Sequence, residues 1–184
     1  MDTPNNYQKY GVHFYAAAWL PGLSKSKQPD QEDDAGNDKK ETKTQMQKIE
    51  TQTELAQFDS SQNHVVFSSG GGEGRNGVPN AILITQFDSA SVFLSNQLVA
   101  KLNTGSALPY RMTVQPAGSG LVCYFLHSCK WFELEEESDE VPKLALRQSE
   151  RVLEQLQDVG QQLLLAFDRD GSMLAAGGEH RMAS

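Results

Sequence analysis

Apolar and polar positions divide this chain into short β-type runs and one long polar gap. "HFYAAAWLP" and "HVVFSSGGG" flank the gap, and "NAILITQFD", "QLVAKLN", "YRMTVQP", "GLVCYF", "CKWFEL", "KLALR", "QQLLLAFD" and "MLAAGGE" follow it. Each run is rich in Val, Ile, Leu and aromatics, and Gly, Pro, Asp and Ser separate them, so each is predicted to be a strand. "SERVLEQLQDVGQQ" is different. Val152, Leu153, Leu156 and Val159 fall at helical spacing behind Ser149 as an N-cap. That pattern predicts a short helix, or a twisted strand where the neighbours overrule local propensity. The gap, residues 24–62, offers only Met46, Ile49, Leu55 and Phe58 as sizeable apolar residues. It buries too little surface to offset the entropy of ordering, so it is expected to be a disordered insert, with at most a weakly docked helix near residues 41–56.

The runs repeat. "TVQPAGSGLVC" aligns without gaps on "AFDRDGSMLAA", matching Val114 to Phe167, Gly118 to Gly171, Ser119 to Ser172 and Leu121 to Leu174. In both, a strand ends in a glycine turn and a second apolar strand follows. "YAAAWLP…NHVVFSSGG" is a third copy with the polar insert in its turn. Such a hairpin with two more strands before the next copy reads as a blade of a WD-repeat-like β-propeller, an all-β fold. The division expected is a first strand of blade 1 at residues 1–23, the insert at 24–62, the rest of blade 1 at 63–110, blade 2 at 111–158, an inner hairpin of blade 3 at 159–179 and a divergent tail at 180–184. Closure takes about four to eight blades, and only about two and a half are expected here. The expectation is therefore an incomplete propeller with uncovered strand edges, a truncated product that is marginally stable and aggregation-prone or partnered. A sharp cooperative melt of a soluble monomer contradicts that expectation.

Charge narrows the partners. Lys and Arg number 16 against 24 Asp and Glu, a net charge of −8. A surface that acidic repels phosphate backbones, which disfavours nucleic acid. No apolar run approaches the roughly 18 residues that span a bilayer, and no signal sequence opens the chain, so a soluble, cytosolic chain is expected. Cys123 and Cys129 bracket His127. Three soft donors fall short of the four that structural zinc takes, and two core cysteines on neighbouring strands are the simpler reading. Asp168, Asp170 and Gly171 begin like a calcium loop, yet no glutamate follows at the twelfth position and Asp-Gly suits a hairpin turn. The acidic run Glu133 to Glu140 reads as a solvated strand end, and Trp19 and Trp131 as blade packing. His13, His64, His127 and His180 show no catalytic spacing, so no catalytic residue is assigned.

One motif remains. "GGGEGRNGVPN" carries G-x-G-x-x-G at Gly72, Gly74 and Gly77 after a strand. A dinucleotide cradle requires a helix after the glycines, because the helix N-terminus holds the pyrophosphate. Here Val78-Pro79-Asn80 leads into "AILITQF", another strand pattern, and no Gly-Lys-Ser/Thr or kinase partner motif is present. The alternatives are a flexible rim loop, a loop whose carbonyls and one amide hold a hard cation, and a loop that projects into a partner.

"GGGEGRNGVPNAILI", "LPYRMTVQPAGSGLVC", "KWFE" and "SERVLEQLQDVGQQLLLAF…GSMLAAGGE" resemble the Sec-twelve-type proteins of the endoplasmic reticulum. The plant branch, which includes the phosphate transporter traffic facilitators, is the nearest in pattern. The resemblance runs weakly over Tyr7 to Leu20 and strongly over Asn63 to Glu179. It implies a seven-bladed propeller on the cytosolic face of the endoplasmic reticulum with a C-terminal membrane anchor. It also implies guanine-nucleotide exchange on the small GTPase that starts COPII coat assembly, a regulatory role rather than an enzyme's covalent chemistry. The glycine loop, here Gly70, Gly71, Gly72, Glu73, Gly74, Asn76, Gly77, Pro79 and Asn80, is then the part that enters the GTPase, with Asn80 its key residue and a ligand of a potassium ion. An inserted loop acts by differential binding, lowering nucleotide affinity in the complex. The pattern departs at Ser69, where exchange factors often carry glycine, at "HRMAS", and in lacking the membrane helix. The alternative is a non-catalytic propeller module that helps a membrane-transporter cargo, a phosphate transporter, leave the endoplasmic reticulum, or an inactive truncated isoform.

Overall fold

The computed structural model describes residues 11–21, 62–71, 78–126, 128–138, 142–151, 153, 156 and 161–179. The insert apart from Gln62, the tail, and the suggested helix near residues 41–56 lie outside them. Among the described residues there are ten strands: β1 His13–Leu20, β2 Asn63–Gly70, β3 Asn80–Asp88, β4 Phe93–Gly105, β5 Arg111–Val114, β6 Gly120–Phe125, β7 Ser128–Ser138, β8 Pro142–Gln148, β9 Gln161–Phe167 and β10 Leu174–Glu179. They form an antiparallel sheet β1-β2-β3-β4, an antiparallel sheet β5-β6-β7-β8, and a hairpin β9-β10. β1 packs beside β5, β5 beside β9, and β4 beside β8. Equivalent strands of successive sheets thus lie side by side, the arrangement of an incomplete propeller with two four-stranded blades and a hairpin.

The inner strands of the meanders read as near-continuous apolar runs because both of their faces are covered. Val66, Ile82 and Ile84 on one sheet meet Leu121, Cys123 and Phe132 on the next, forming the largest core between the two blades. On the opposite face of the second sheet, Val122, Tyr124, Cys129 and Trp131 receive Leu165, Phe167 and Leu174 of the hairpin. Burying each such side chain contributes about 1.5–3 kcal/mol, so the blades are held by their faces. Trp131 meets Phe167 edge-on at 5.9 Å, as blade packing requires. Trp19 differs from its expected packing role: it is 58% exposed and touches Phe87 edge-on at 5.1 Å, on the outer face of the first sheet.

The repeated turns match in backbone detail. Gly118 and Gly171 both take positive φ, 78° and 75°, the left-handed region that glycine enters without Cβ strain. The Gln115 N–H donates to Gly120 O at 2.9 Å, and in the other copy the Asp168 N–H donates to Met173 O at 3.1 Å. Ser119 Oγ donates to Gln115 Oε1, as Ser172 Oγ does to Asp168 Oδ2.

Two further expectations change. β4 is longer than "QLVAKLN", starting at Phe93. Its outward positions are polar because it is an outermost strand, which hides it from an apolar count. The segment after β8 shows no α-helix and no strand among its described residues. Ser149 Oγ does accept the Arg151 N–H at 3.2 Å, as an N-cap would. Further on, however, the Leu156 N–H bonds Leu153 O, a turn tighter than α. Leu153 and Leu156 pack against the core of the second blade's far face, so burial sets their positions. Val152 and Val159 lie outside the described residues.

Candidate functional site

The root of the glycine loop is where β2 ends and β3 begins. Of the nine candidate residues, Gly70, Gly71, Pro79 and Asn80 are described, whereas Gly72, Glu73, Gly74, Asn76 and Gly77 lie outside the described residues. The element after the loop is a strand, β3, so no helix N-terminus faces the glycines and the pyrophosphate mechanism has no structural basis.

Asn80 is 1% exposed and opens β3. Its Nδ2 donates to Gly105 O at 2.9 Å, tying the loop's exit to the connection between β4 and β5. Its Oδ1 is buried and has no hydrogen-bond partner among the described residues. A buried amide oxygen without a donor costs on the order of 1–3 kcal/mol. Ser68 Oγ, also buried without a partner among the described residues, lies two residue pairs deeper in the ladder, opposite Ile82.

The glycine at the loop's entrance is required sterically. A Cβ on Gly70 would collide with Asn80 Oδ1 and stand 2.6 Å from Leu108 Cδ1. Gly71 lies against Val78, where an added Cβ would stand 3.0 Å from Val78 Cβ, so the two stems close on each other. Ser69, which replaces a glycine of the resembled pattern, is buried, and its hydroxyl donates to Ala81 O at 3.1 Å. Gly105 and Leu108 escaped the sequence reading. Gly105 shows itself only by a φ of 62°, and nothing local links it to a residue 25 positions earlier.

The other candidates are structural. Register places Cys129 opposite Tyr124 and Cys123 opposite Lys130. Cys123 lies in the core between the blades and Cys129 in the core on the other face, so the two thiols cannot share a metal. His127 lies outside the described residues, and no group of three metal-ligating side chains occurs among the described ones. Burial pushes the Cys129 thiol up to about 11 and raises that of Cys123 further above its ordinary value, with Cys129 adding a smaller charge effect. Native-state alkylation at pH 8 is therefore expected to be slow for both and fast in urea, read by mass spectrometry. A thiol pKa raised by folding makes the unfolded chain lose its protons first. Stability is then expected to fall as pH rises above about 9.

Asp168 Oδ1 accepts the Met173 N–H at 2.9 Å and Asp170 Oδ1 the Ser172 N–H at 3.0 Å. The Ser172 hydroxyl and then its N–H hold the Asp170 carboxyl below its usual range. These carboxylates close the β9–β10 turn, the role expected of Asp-Gly in a hairpin. Glu133, Glu135 and Glu136 are exposed along β7, and Arg147 Nε pairs with Glu135 at 3.4 Å. Asp139 and Glu140 lie outside the described residues, as does His180. No helix among the described residues is long and apolar enough to cross a membrane, a statement that does not concern β-barrels.

No family model matches the chain, and no solved structure matches it. A curated relative, SEC12-like protein 2 of Arabidopsis thaliana, is 40% identical over 182 residues. The match covers 97% of this chain and 42% of that relative, so the chain spans less than half the relative's length.

Proposed function

The chain belongs to the SEC12-like proteins, and from that premise we propose that it acts in export from the endoplasmic reticulum. In this reading it promotes guanine-nucleotide exchange on the small GTPase that starts COPII coat assembly, and the glycine loop between β2 and β3 is the inserted part. The observation that carries the reading is Asn80: a buried amide at the loop's root whose Nδ2 is held by Gly105 O and whose buried Oδ1 has no hydrogen-bond partner among the described residues. A loop anchored at its exit can press on a partner's nucleotide site without folding back, so binding energy goes into lowering nucleotide affinity. Asn80 Oδ1 is the oxygen this chain would offer to a potassium ion, and such a hard cation would supply positive charge and rigidity at the loop's root.

A second reading is favoured by Ser69, whose hydroxyl bond to Ala81 O stiffens the loop's entrance at a position where exchange factors often carry glycine. It makes the chain a non-catalytic module that helps a membrane transporter leave the endoplasmic reticulum. Release of a fluorescent guanine nucleotide from the COPII GTPase separates the two. Under the exchange reading the wild-type chain accelerates release at least about tenfold, and Asn80→Ala loses most of that gain, roughly 1–3 kcal/mol of coupling. No acceleration by the wild-type chain or by a longer form of it overturns the exchange reading and leaves the adaptor or an inactive isoform.

A further inference from the structure

Successive strands alternate in direction, so the connections after β2, β4, β6 and β8 all leave at one rim. The two stems of the glycine loop, Gly70–Gly71 and Val78–Asn80, the Gly105–Leu108 stretch and the facing ends of β6 and β7 therefore share that rim. Between the two sheets at this end lies a cleft of about 140 Å³. Asn103, Thr104, Lys130 and Gln148 line it, over the rings of Phe125 and Phe132. Lys130 Nζ stands 5.4 Å from the centre of the Phe125 ring and, among the described residues, donates to the neutral Gln148 Oε1 at a long 3.3 Å. Among the described residues no carboxylate lies within ion-pair distance of this ammonium. A part-covered cation with one weak neutral acceptor among the described residues, in a chain of net charge −8, can take a carboxylate from outside the chain.

We infer that this cleft is a second contact site for the protein partner of the glycine loop and that it accepts an aspartate or glutamate side chain. Lys130 supplies the charge. The Thr104 hydroxyl is held by Ala107 O at 2.6 Å, which leaves the Asn103 and Gln148 amides to donate to the incoming carboxylate. The aromatic floor excludes water from one side and so strengthens the pair. The partner's identity rests on the exchange-module reading, whereas the cleft's preference for a carboxylate does not. A two-point contact would fix the angle at which the loop meets its partner, since charged contacts set register and on-rate.

The test has two arms on the whole chain. In the first, N-acetyl-aspartate N-methylamide and its asparagine counterpart are titrated while amide resonances are followed by NMR. Saturable shifts at Asn103, Thr104, Lys130 and Gln148 are expected with the aspartate probe alone. The apparent Kd is expected to rise at least about tenfold in Lys130→Gln. No saturable shift, or equal shifts with the asparagine probe, overturns the carboxylate site. In the second arm, Lys130→Glu is expected to weaken binding of the COPII GTPase about tenfold at low salt, with less effect at high salt. Unchanged affinity overturns the shared surface. If the wild-type chain binds no GTPase, the function reading fails, and the first arm still decides the cleft.

Discussion

Phe132→Ala is expected to lower the unfolding free energy by about 3–5 kcal/mol, the largest stability loss of any single truncation considered. Phe132 is 1% exposed and lies between the blades with Leu121, Cys123 and Ile84, its ring 6.1 Å from that of Phe125. Removing it leaves a cavity that two rigid sheets close only in part, so the lost dispersion contacts add to the lost transfer energy. A typical domain has about 5–15 kcal/mol in total, so the variant should unfold at a much lower urea concentration. Trp131, on the adjoining strand position, reports the transition by fluorescence. Phe93→Ala is the control, because Phe93 is 41% exposed at the start of β4, and it should cost under about 1 kcal/mol. Equal losses in the two variants would mean that the blades do not share one core.

The second large effect is Asn80→Asp, isosteric but without the donor to Gly105 O. At pH 7 an ionised carboxylate would sit buried against a carbonyl oxygen, at a cost of roughly 3–5 kcal/mol. Burial and the facing carbonyl raise the folded-state pKa above the ordinary carboxylate value of about 3.9. The penalty is therefore full above the folded pKa and is relieved as pH falls through it, because the protonated acid donates to Gly105 O. Melting the variant and the wild type at pH 7 and pH 4.5 reads this directly, and a gap that does not narrow at the lower pH refutes the assigned hydrogen bond. The same variant probes the proposed cation. A potassium ion at Oδ1 would neutralise the aspartate, so the variant should melt higher in potassium chloride than in choline chloride at equal ionic strength. Identical melting in the two salts removes Asn80 from any cation site.

Much of the fold was legible because the strands are short, apolar and punctuated. "NAILITQFD" coincides with β3 and "GLVCYF" with β6, since a central strand covered on both faces has an unbroken apolar run. The repeat was legible through Gly118 and Gly171, whose positive φ only glycine adopts freely. The segment after β8 was not legible. Leu153 and Leu156 obey a helical period, yet they are placed by the second blade's far face, which local propensity cannot anticipate. At the candidate site, the strand after the glycines could be read from Pro79, Asn80 and "AILI", and that alone removed the nucleotide-cradle reading.

By itself, the order of residues determined the strands, their turns, the repeat and the helix-free exit of the glycine loop, because periodicity and turn chemistry act over a few neighbouring positions. Only the tertiary structure decided which atoms meet: that Asn80 holds Gly105, that Leu108 and Asn80 leave Gly70 no room for a side chain, that Cys123 and Cys129 face different cores, and that Lys130 borders a cleft between two sheets. Those relations depend on strand register and on the packing of one blade against the next, which bring together residues far apart in the chain and leave no local trace.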